Sequence, residues 1–181
     1  MRYNDDTYIK NFIEHGIYPK IHDDIYSLDR YLDNSNVLDL GCCTGLLSRH
    51  LAETHNFVIG VDSEAKYIEK AIKHNNIQYI QMEINESTLE DFHKILVCNN
   101  IAIIYARRII PEVYETGGKD LVNHLIQTMY DSKVEYLVVE GRKSNRNAVN
   151  PLKSIEEEVT ALKQRYEVIR KYKNCAIMKR K

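Results

Sequence analysis

Nothing in this 181-residue chain approaches the ~20 consecutive apolar residues of a membrane span. The N-terminal run MRYNDDTYIK also lacks the apolar core of a secretory signal. A cytoplasmic location with no membrane partner is therefore expected. Cysteine is sparse: Cys42, Cys43, Cys98 and Cys175 form no CxxC pair and two are consecutive, which points away from a disulfide framework or a zinc site. The seven histidines are scattered, and His50 and His55 lack the spacing that sets two ligands on one helix face, so no metal is expected. There is no internal repeat, low-complexity tract or interdomain linker. What remains, 44% hydrophobic and 28% charged residues, is the composition of one globular domain able to bury a real core.

A net charge of −1 hides an asymmetry. From Arg142 to Lys181 there are 12 Lys and Arg against 4 Glu, which leaves −9 for the first 141 residues. Such polarity suits an anionic partner, RNA included, or a solvated edge hairpin.

Before residue 36 the pattern predicts two short amphipathic helices, the first capped at Thr7 and carrying Ile9, Phe12 and Ile13, the second carrying Ile21, Ile25, Leu28 and Leu32. These 35 residues are expected to form a lid over a domain spanning 36–181. Strands are expected at Val37–Leu40, Phe57–Val61, Ile77–Met82, Ile101–Tyr105 and Tyr136–Val139. Helices are expected at Leu46–Thr54, Glu64–His74, from a Ser87/Glu90 capping box through Leu96, and at Lys119–Tyr130. Alternation of this kind implies a parallel sheet with helices on both faces. A further capping box, Ser154 with Glu157, opens a last helix, and Tyr166–Tyr172 and Cys175–Arg180 follow with only Lys173 and Asn174 between them. Two residues cannot cross over between parallel strands, so this pair is an antiparallel hairpin.

The most informative segment is Asn36–Asp62, NVLDLGCCTGLLSRHLAETHNFVIGVD. An apolar strand runs through a small-residue turn into a helix and then into a second strand ending in an acid about 20 residues on, the pattern of a nucleotide-cradling βαβ unit. A GxGxxG dinucleotide fingerprint fails, because its second glycine falls on Cys43 and its third on Leu46. Asp39 at the end of the first strand would repel a pyrophosphate and suit a cationic amine.

The run Asp39-Leu40-Gly41-Cys42-Cys43-Thr44-Gly45 resembles motif I of the class I S-adenosylmethionine-dependent methyltransferases, an acid-x-Gly-x-Gly-x-Gly pattern. Asp39, Gly41 and Gly45 match it, and Cys43 replaces the central glycine, a position at risk of backbone strain. The resemblance implies a Rossmann-like, seven-stranded, mostly parallel sheet ending in an antiparallel hairpin, with S-adenosylmethionine as cofactor. It implies that Asp39 serves the methionine ammonium, that the backbone of Gly41, Cys42, Cys43 and Gly45 lines the pocket, and that Asp62 accepts both ribose hydroxyls. Glu83 would stand where an acid accepts from the adenine amino group, with Met82 and Ile84 against the ring. Ser63 follows Asp62 at a position often apolar in the family, and is also a candidate N-cap.

The fourth strand lacks the Asn/Asp-Pro-Pro-aromatic run of base-amino methyltransferases and the Pro-Cys nucleophile of carbon-5 cytosine methylation. Arg107 and Arg108 hold that lip instead, facing a basic loop with Arg142, Lys143 and Arg146. Tyr105, with a second role at the cofactor, Arg107 and Glu140 are the catalytic candidates, beside Tyr8 or Tyr18 of the lid, and none stands out. The expected function is methyl transfer to a small or anionic acceptor. The alternatives are an S-adenosylmethionine-binding accessory or sensing protein without turnover, and methylation of structured RNA.

Overall fold

The computed structural model describes residues 32, 34–141, 151–152 and 154–181. The expected lid with Tyr8 and Tyr18, and the loop residues Arg142, Lys143 and Arg146, lie outside the described residues. In chain order the elements are β1 (Asn36–Leu40), α1 (Leu46–Thr54), β2 (Phe57–Asp62), α2 (Ala65–Glu69), β3 (Ile77–Gln81), α3 (Leu89–Cys98), β4 (Ile101–Arg107), α4 (Ile110–Asp131), β5 (Tyr136–Glu140), α5 (Ile155–Leu162), β6 (Tyr166–Tyr172) and β7 (Cys175–Arg180).

The strands form one seven-stranded sheet in the order β3-β2-β1-β4-β5-β7-β6. Strands β1 to β5 are parallel, and β7 runs antiparallel to both β5 and β6. The hairpin therefore does not extend the sheet in chain order: β7 slots between β5 and β6, and Gly141 N–H donates to Asn174 C=O at 3.0 Å to seat its turn. Strand order reverses between β1 and β4, so the crevice of this doubly wound sheet opens at the C-terminal ends of those strands.

Parallel strands buried on both faces must be apolar at successive positions. In β1, Val37 joins the cluster under α1 with Leu47, Leu51 and Val58, whereas Leu38 and Leu40 join the larger cluster under α3, α4 and α5 with Phe92, Leu125, Ile126 and Val159. Phe92 and Leu96 are fully buried, and truncating such a ring to Ala costs about 3–5 kcal/mol. The β6 edge is protected differently: it is bulged between Val168 and Arg170, and Arg170 and Lys171 are exposed. Charge and a bulge on an edge strand oppose pairing with another chain, which accounts for part of the basic C-terminal section.

Three boundaries depart from the sequence reading. Helix α2 is a short piece, Ala65–Glu69, rather than a helix to His74, because the chain must return to β3 with Ile72 N–H on Thr44 C=O. Helix α4 starts at Ile110, nine residues early, with Pro111 in its first turn and a break at Gly117–Gly118, where Gly118 has φ 69°. That glycine pair reads locally as a helix end, and burial of Ile110 and Val113 is what holds the extra turns in place. The Ser87/Glu90 box does not form: Ser87 bonds Asn85, Thr88 occupies the cap, and its hydroxyl donates to Glu83 C=O at 2.6 Å.

Candidate functional site

β1 ends at Asp39 and Leu40, and the chain then turns sharply through Gly41 (φ 79°), Cys43 (φ 52°) and Gly45 (φ 76°). Gly41 has a steric reason as well, since a Cβ there would stand 3.1 Å from Ile109 Cδ1, which packs over the turn from the start of α4. Cys43 does adopt the left-handed conformation that the sequence flagged as a risk, and it costs about 1–2 kcal/mol for a residue with a side chain. The compensation is hydrogen bonding. Gly41 and Cys42 N–H both donate to Val61 C=O at 2.8 and 3.0 Å, and Cys43 N–H donates to Asp62 Oδ2 at 2.8 Å. Gly45 N–H goes to Cys42 C=O at 2.9 Å. These amides all face protein acceptors, so they do not form the outward nest that a pyrophosphate needs.

Asp62 is bound edge-on by backbone. Its Oδ1 accepts Glu64 N–H at 2.9 Å while Oδ2 takes Cys43, and Glu64, not Ser63, stands at the start of α2. The N-cap expectation for Ser63 is thus corrected: Ser63 is exposed and the capping oxygen belongs to Asp62. Each carboxylate oxygen keeps a second lone pair for another donor. Burial raises the Asp62 pKa, opposed by the Glu64 and Cys43 amides.

Asp39 lies on the same sheet face, 1% exposed, and Ser48 on α1 donates to its Oδ2 at 2.6 Å. Burial pushes its carboxyl up to about 6; the Ser48 bond opposes this, the Asp62 charge adds to it and Arg107 opposes it. Burial likewise holds Cys42 and Cys43 as thiols, Cys43 pushed up to about 12.

The remaining predicted residues fall into two groups. At the β3 end, Met82 is half-buried with its N–H on Asp62 C=O at 2.9 Å, Glu83 is exposed, and Ile84 is buried in the larger core. At the β4 and β5 ends, Arg107 Nε donates to Glu140 Oε2 at 2.7 Å and Arg108 Nη2 stands 3.6 Å from Glu140 Oε1. Glu140 is thereby engaged as the counter-ion of two guanidiniums. Tyr105 is fully buried between Asp39 and Val138 in the sheet, with its hydroxyl 3.2 Å from His55 Nε2. Ser48, Ile109 and Tyr79 were not singled out from sequence. Ser48 is one serine in an amphipathic helix and Tyr79 one aromatic in an edge strand, and only the pairing of β1, β2 and β3 brings them to the turn.

Among the described residues no group of His, Cys, Asp or Glu could hold a metal ion, and no helix is long and apolar enough to cross a membrane. A cavity of about 350 Å³ lined by Ile68, Lys73, His74, Asn75, Ile77 and Tyr79 opens at the β3 edge, away from the two acids.

A sheet with its order reversed at β1/β4, a tight turn from β1 into α1, and acids closing β1 and β2 together define the Rossmann-like methyltransferase fold. Residues 37–116 match the methyltransferase-domain family, and the chain belongs to the class I S-adenosylmethionine-dependent methyltransferases. The cofactor this indicates is S-adenosylmethionine. The N-methyltransferase NodS from Bradyrhizobium japonicum WM9, in complex with S-adenosyl-L-homocysteine, is 14% identical with a TM-score of 0.67, over 90% of this chain and 86% of that one. The PH0226 protein from Pyrococcus horikoshii OT3 gives 14% identity and 0.66 over 91% of each chain. The [4+2]-cyclase SpnF gives 13% identity and 0.57 over 81% of this chain and 57% of its own. At such identities the likeness is one of fold. Comparison with curated protein sequences gives no match.

Proposed function

We propose that the chain is an S-adenosylmethionine-dependent methyltransferase acting on a small anionic acceptor. The observation that carries the cofactor half is the inward-facing turn. Its amides are taken by Val61, Asp62 and Cys42, so the ligand side presents carboxylates, Asp39 and Asp62, in place of phosphate-binding N–H groups. Two acids that raise each other's proton affinity suit a cationic ligand and repel a pyrophosphate. The residues present fit the cofactor. Asp62 would accept the ribose hydroxyls through its outer lone pairs, Asp39 would meet the ammonium, and Met82 and Glu83 would stand by the adenine. When bound, the cofactor supplies an electrophilic methyl on a positively charged sulfur, so the chain's own work is alignment of the nucleophile and exclusion of water.

The acceptor half is supported by Arg107 and Arg108 at the C-terminal lip of β4, beside the strand-order reversal, sharing the single carboxylate of Glu140. Glu140 could act as a base only by leaving both ion pairs, so we assign it to holding the guanidiniums. A second reading, cofactor binding without methyl transfer, draws on the engagement of both Tyr105 and Glu140 and on a cyclase sharing the fold. RNA methylation has less behind it. Arg165 and Arg180 stack on Tyr130 near the N-terminal ends of the parallel strands, opposite the acids.

Calorimetry with S-adenosylmethionine, S-adenosylhomocysteine and NAD tests the cofactor half, with binding of the first two and not the third expected. Binding of NAD alone would overturn it. Incubation of cell extract with methyl-labelled cofactor, followed by separation of small molecules, RNA and protein, tests the acceptor; label in an anionic small molecule is the expected result, and no transfer favours the second reading.

A further inference from the structure

Gly45 in the turn and Gly60 in β2 share one neighbour. A Cβ on Gly60 would stand 2.6 Å from Tyr79 Cδ1 and 3.0 Å from Cys42 Sγ, and a Cβ on Gly45 would meet the same ring 2.6 Å from its Cζ and press on its hydroxyl. Tyr79 is opposite Gly60 across the β2–β3 pair, and Gly60 is opposite Asp39 across β1–β2. The ring therefore lies across β2 under the turn, in space that two side chains forgo. Its hydroxyl donates to Ile72 C=O at 3.0 Å and contacts the hydroxyl of Ser48, which donates to Asp39 Oδ2 at 2.6 Å.

We propose that Tyr79 is a positioning residue of the cofactor site: its ring is the floor of the Gly41–Gly45 turn, and its hydroxyl oxygen shares the Ser48 proton with Asp39. Proton counting gives the direction. Tyr79 spends its one hydrogen on Ile72 C=O, so toward Ser48 it offers only an acceptor. While Asp39 is ionised, the Ser48 hydrogen is drawn to the carboxylate, away from Tyr79. Once Asp39 is protonated, its own O–H can donate to Ser48, Ser48 to Tyr79 and Tyr79 to Ile72, a chain in which every hydroxyl has both a donor and an acceptor. The Tyr79 oxygen thus favours the neutral acid, and the Ser48 hydroxyl favours the ionised one. The other groups facing Asp39 are Asp62 from β2, Arg107 from β4 and the Cys42 and Cys43 thiols of the turn. The thiols and the Tyr79 phenol are held neutral by burial, so they do not titrate between pH 5 and about 8.

The test is a carboxyl-carbon NMR titration of Asp39 in the ligand-free full chain, with a second measurement, S-adenosylhomocysteine calorimetry, that alone rests on the cofactor reading above. Tyr79→Phe keeps the ring and removes the competing oxygen, and is expected to move the Asp39 midpoint down by roughly half a unit. Ser48→Ala removes the donor and is expected to move it up. A purely structural role for either residue would not give shifts of opposite sign. Tyr79→Leu empties the floor and is expected to weaken S-adenosylhomocysteine about tenfold at pH 8, where Tyr79→Phe binds as wild type. An unmoved or raised midpoint in Tyr79→Phe overturns the hydroxyl role, and wild-type affinity in Tyr79→Leu overturns the floor. If Tyr79→Leu does not fold, the Tyr79→Phe titration decides. A wild-type protein that binds no S-adenosylhomocysteine overturns the cofactor reading and leaves the titration to judge Tyr79.

Discussion

Replacing Asp62 by Asn tests whether one carboxylate both holds the turn and binds ribose. In the native side chain Oδ2 accepts Cys43 N–H at 2.8 Å and Oδ1 accepts Glu64 N–H at 2.9 Å. An amide has a single acceptor oxygen, so Asn keeps one of these bonds and turns an NH2 group against the other N–H. Losing one hydrogen bond to a charged group costs about 1.5–3 kcal/mol. Burial disfavours the ionised form of Asp62, so neutralising it returns part of that cost, and about 1.5 kcal/mol is the net expectation. For a domain of this size that lowers Tm by roughly 3–6 °C. The Cys43 bond is the sensitive one, because it restrains a residue at φ 52° that otherwise relaxes to negative φ. On the ligand side, weakened ribose contacts should cost a further 1.5–3 kcal/mol or about 10- to 150-fold in S-adenosylhomocysteine affinity. Thermal melts followed by circular dichroism and calorimetry measure the two effects separately. An unchanged Tm would refute the clamp, and an unchanged dissociation constant would refute the ribose role.

Asp39→Asn should raise Tm at pH 8 and leave it unchanged at pH 4. The folded carboxyl titrates at about 6 against its ordinary value of 3.8, so its favourable contribution is complete below the lower value and is lost as pH rises through the higher. Above pH 6 the buried charge opposes folding by up to about 3 kcal/mol, and melts at the two pH values that show no difference would refute this. The same variant should bind S-adenosylhomocysteine more weakly by calorimetry. Arg107→Gln should cost about 2–4 kcal/mol of stability in urea melts, because Glu140, with a 6% exposed side chain, keeps only the more distant Arg108, and Glu140→Gln should cost less. Gly60→Ala should destabilise by about 1–3 kcal/mol by driving a methyl into the Tyr79 ring, and Tyr79→Leu in the same chain should recover part of that loss in a double-mutant cycle.

By itself the sequence determined the class of sheet, the terminal hairpin and the place of the two acids. These follow from short-range regularities: apolar runs of strand length, helical spacing, two residues between the last strands, and small residues in a turn between β1 and α1. It also identified Cys43 as the exposed point of the motif, since only local backbone preference is involved. Local signals misplaced the start of α4, where Gly117 and Gly118 resemble an end but burial of Ile110 and Val113 outweighs propensity. They also gave Ser63 a capping role that belongs to Asp62, and suggested a base at Tyr105 or Glu140, residues engaged by His55 and by Arg107. Pairing across strands decided the rest. Ser48 comes to Asp39 and Tyr79 to Gly60 only when β1, β2 and β3 lie side by side, and no periodicity along a chain encodes which side chains will meet across a sheet. The turn's amides face inward for the same reason: their acceptors, Val61 and Asp62, lie about 20 residues away along the chain and reach them only through tertiary packing.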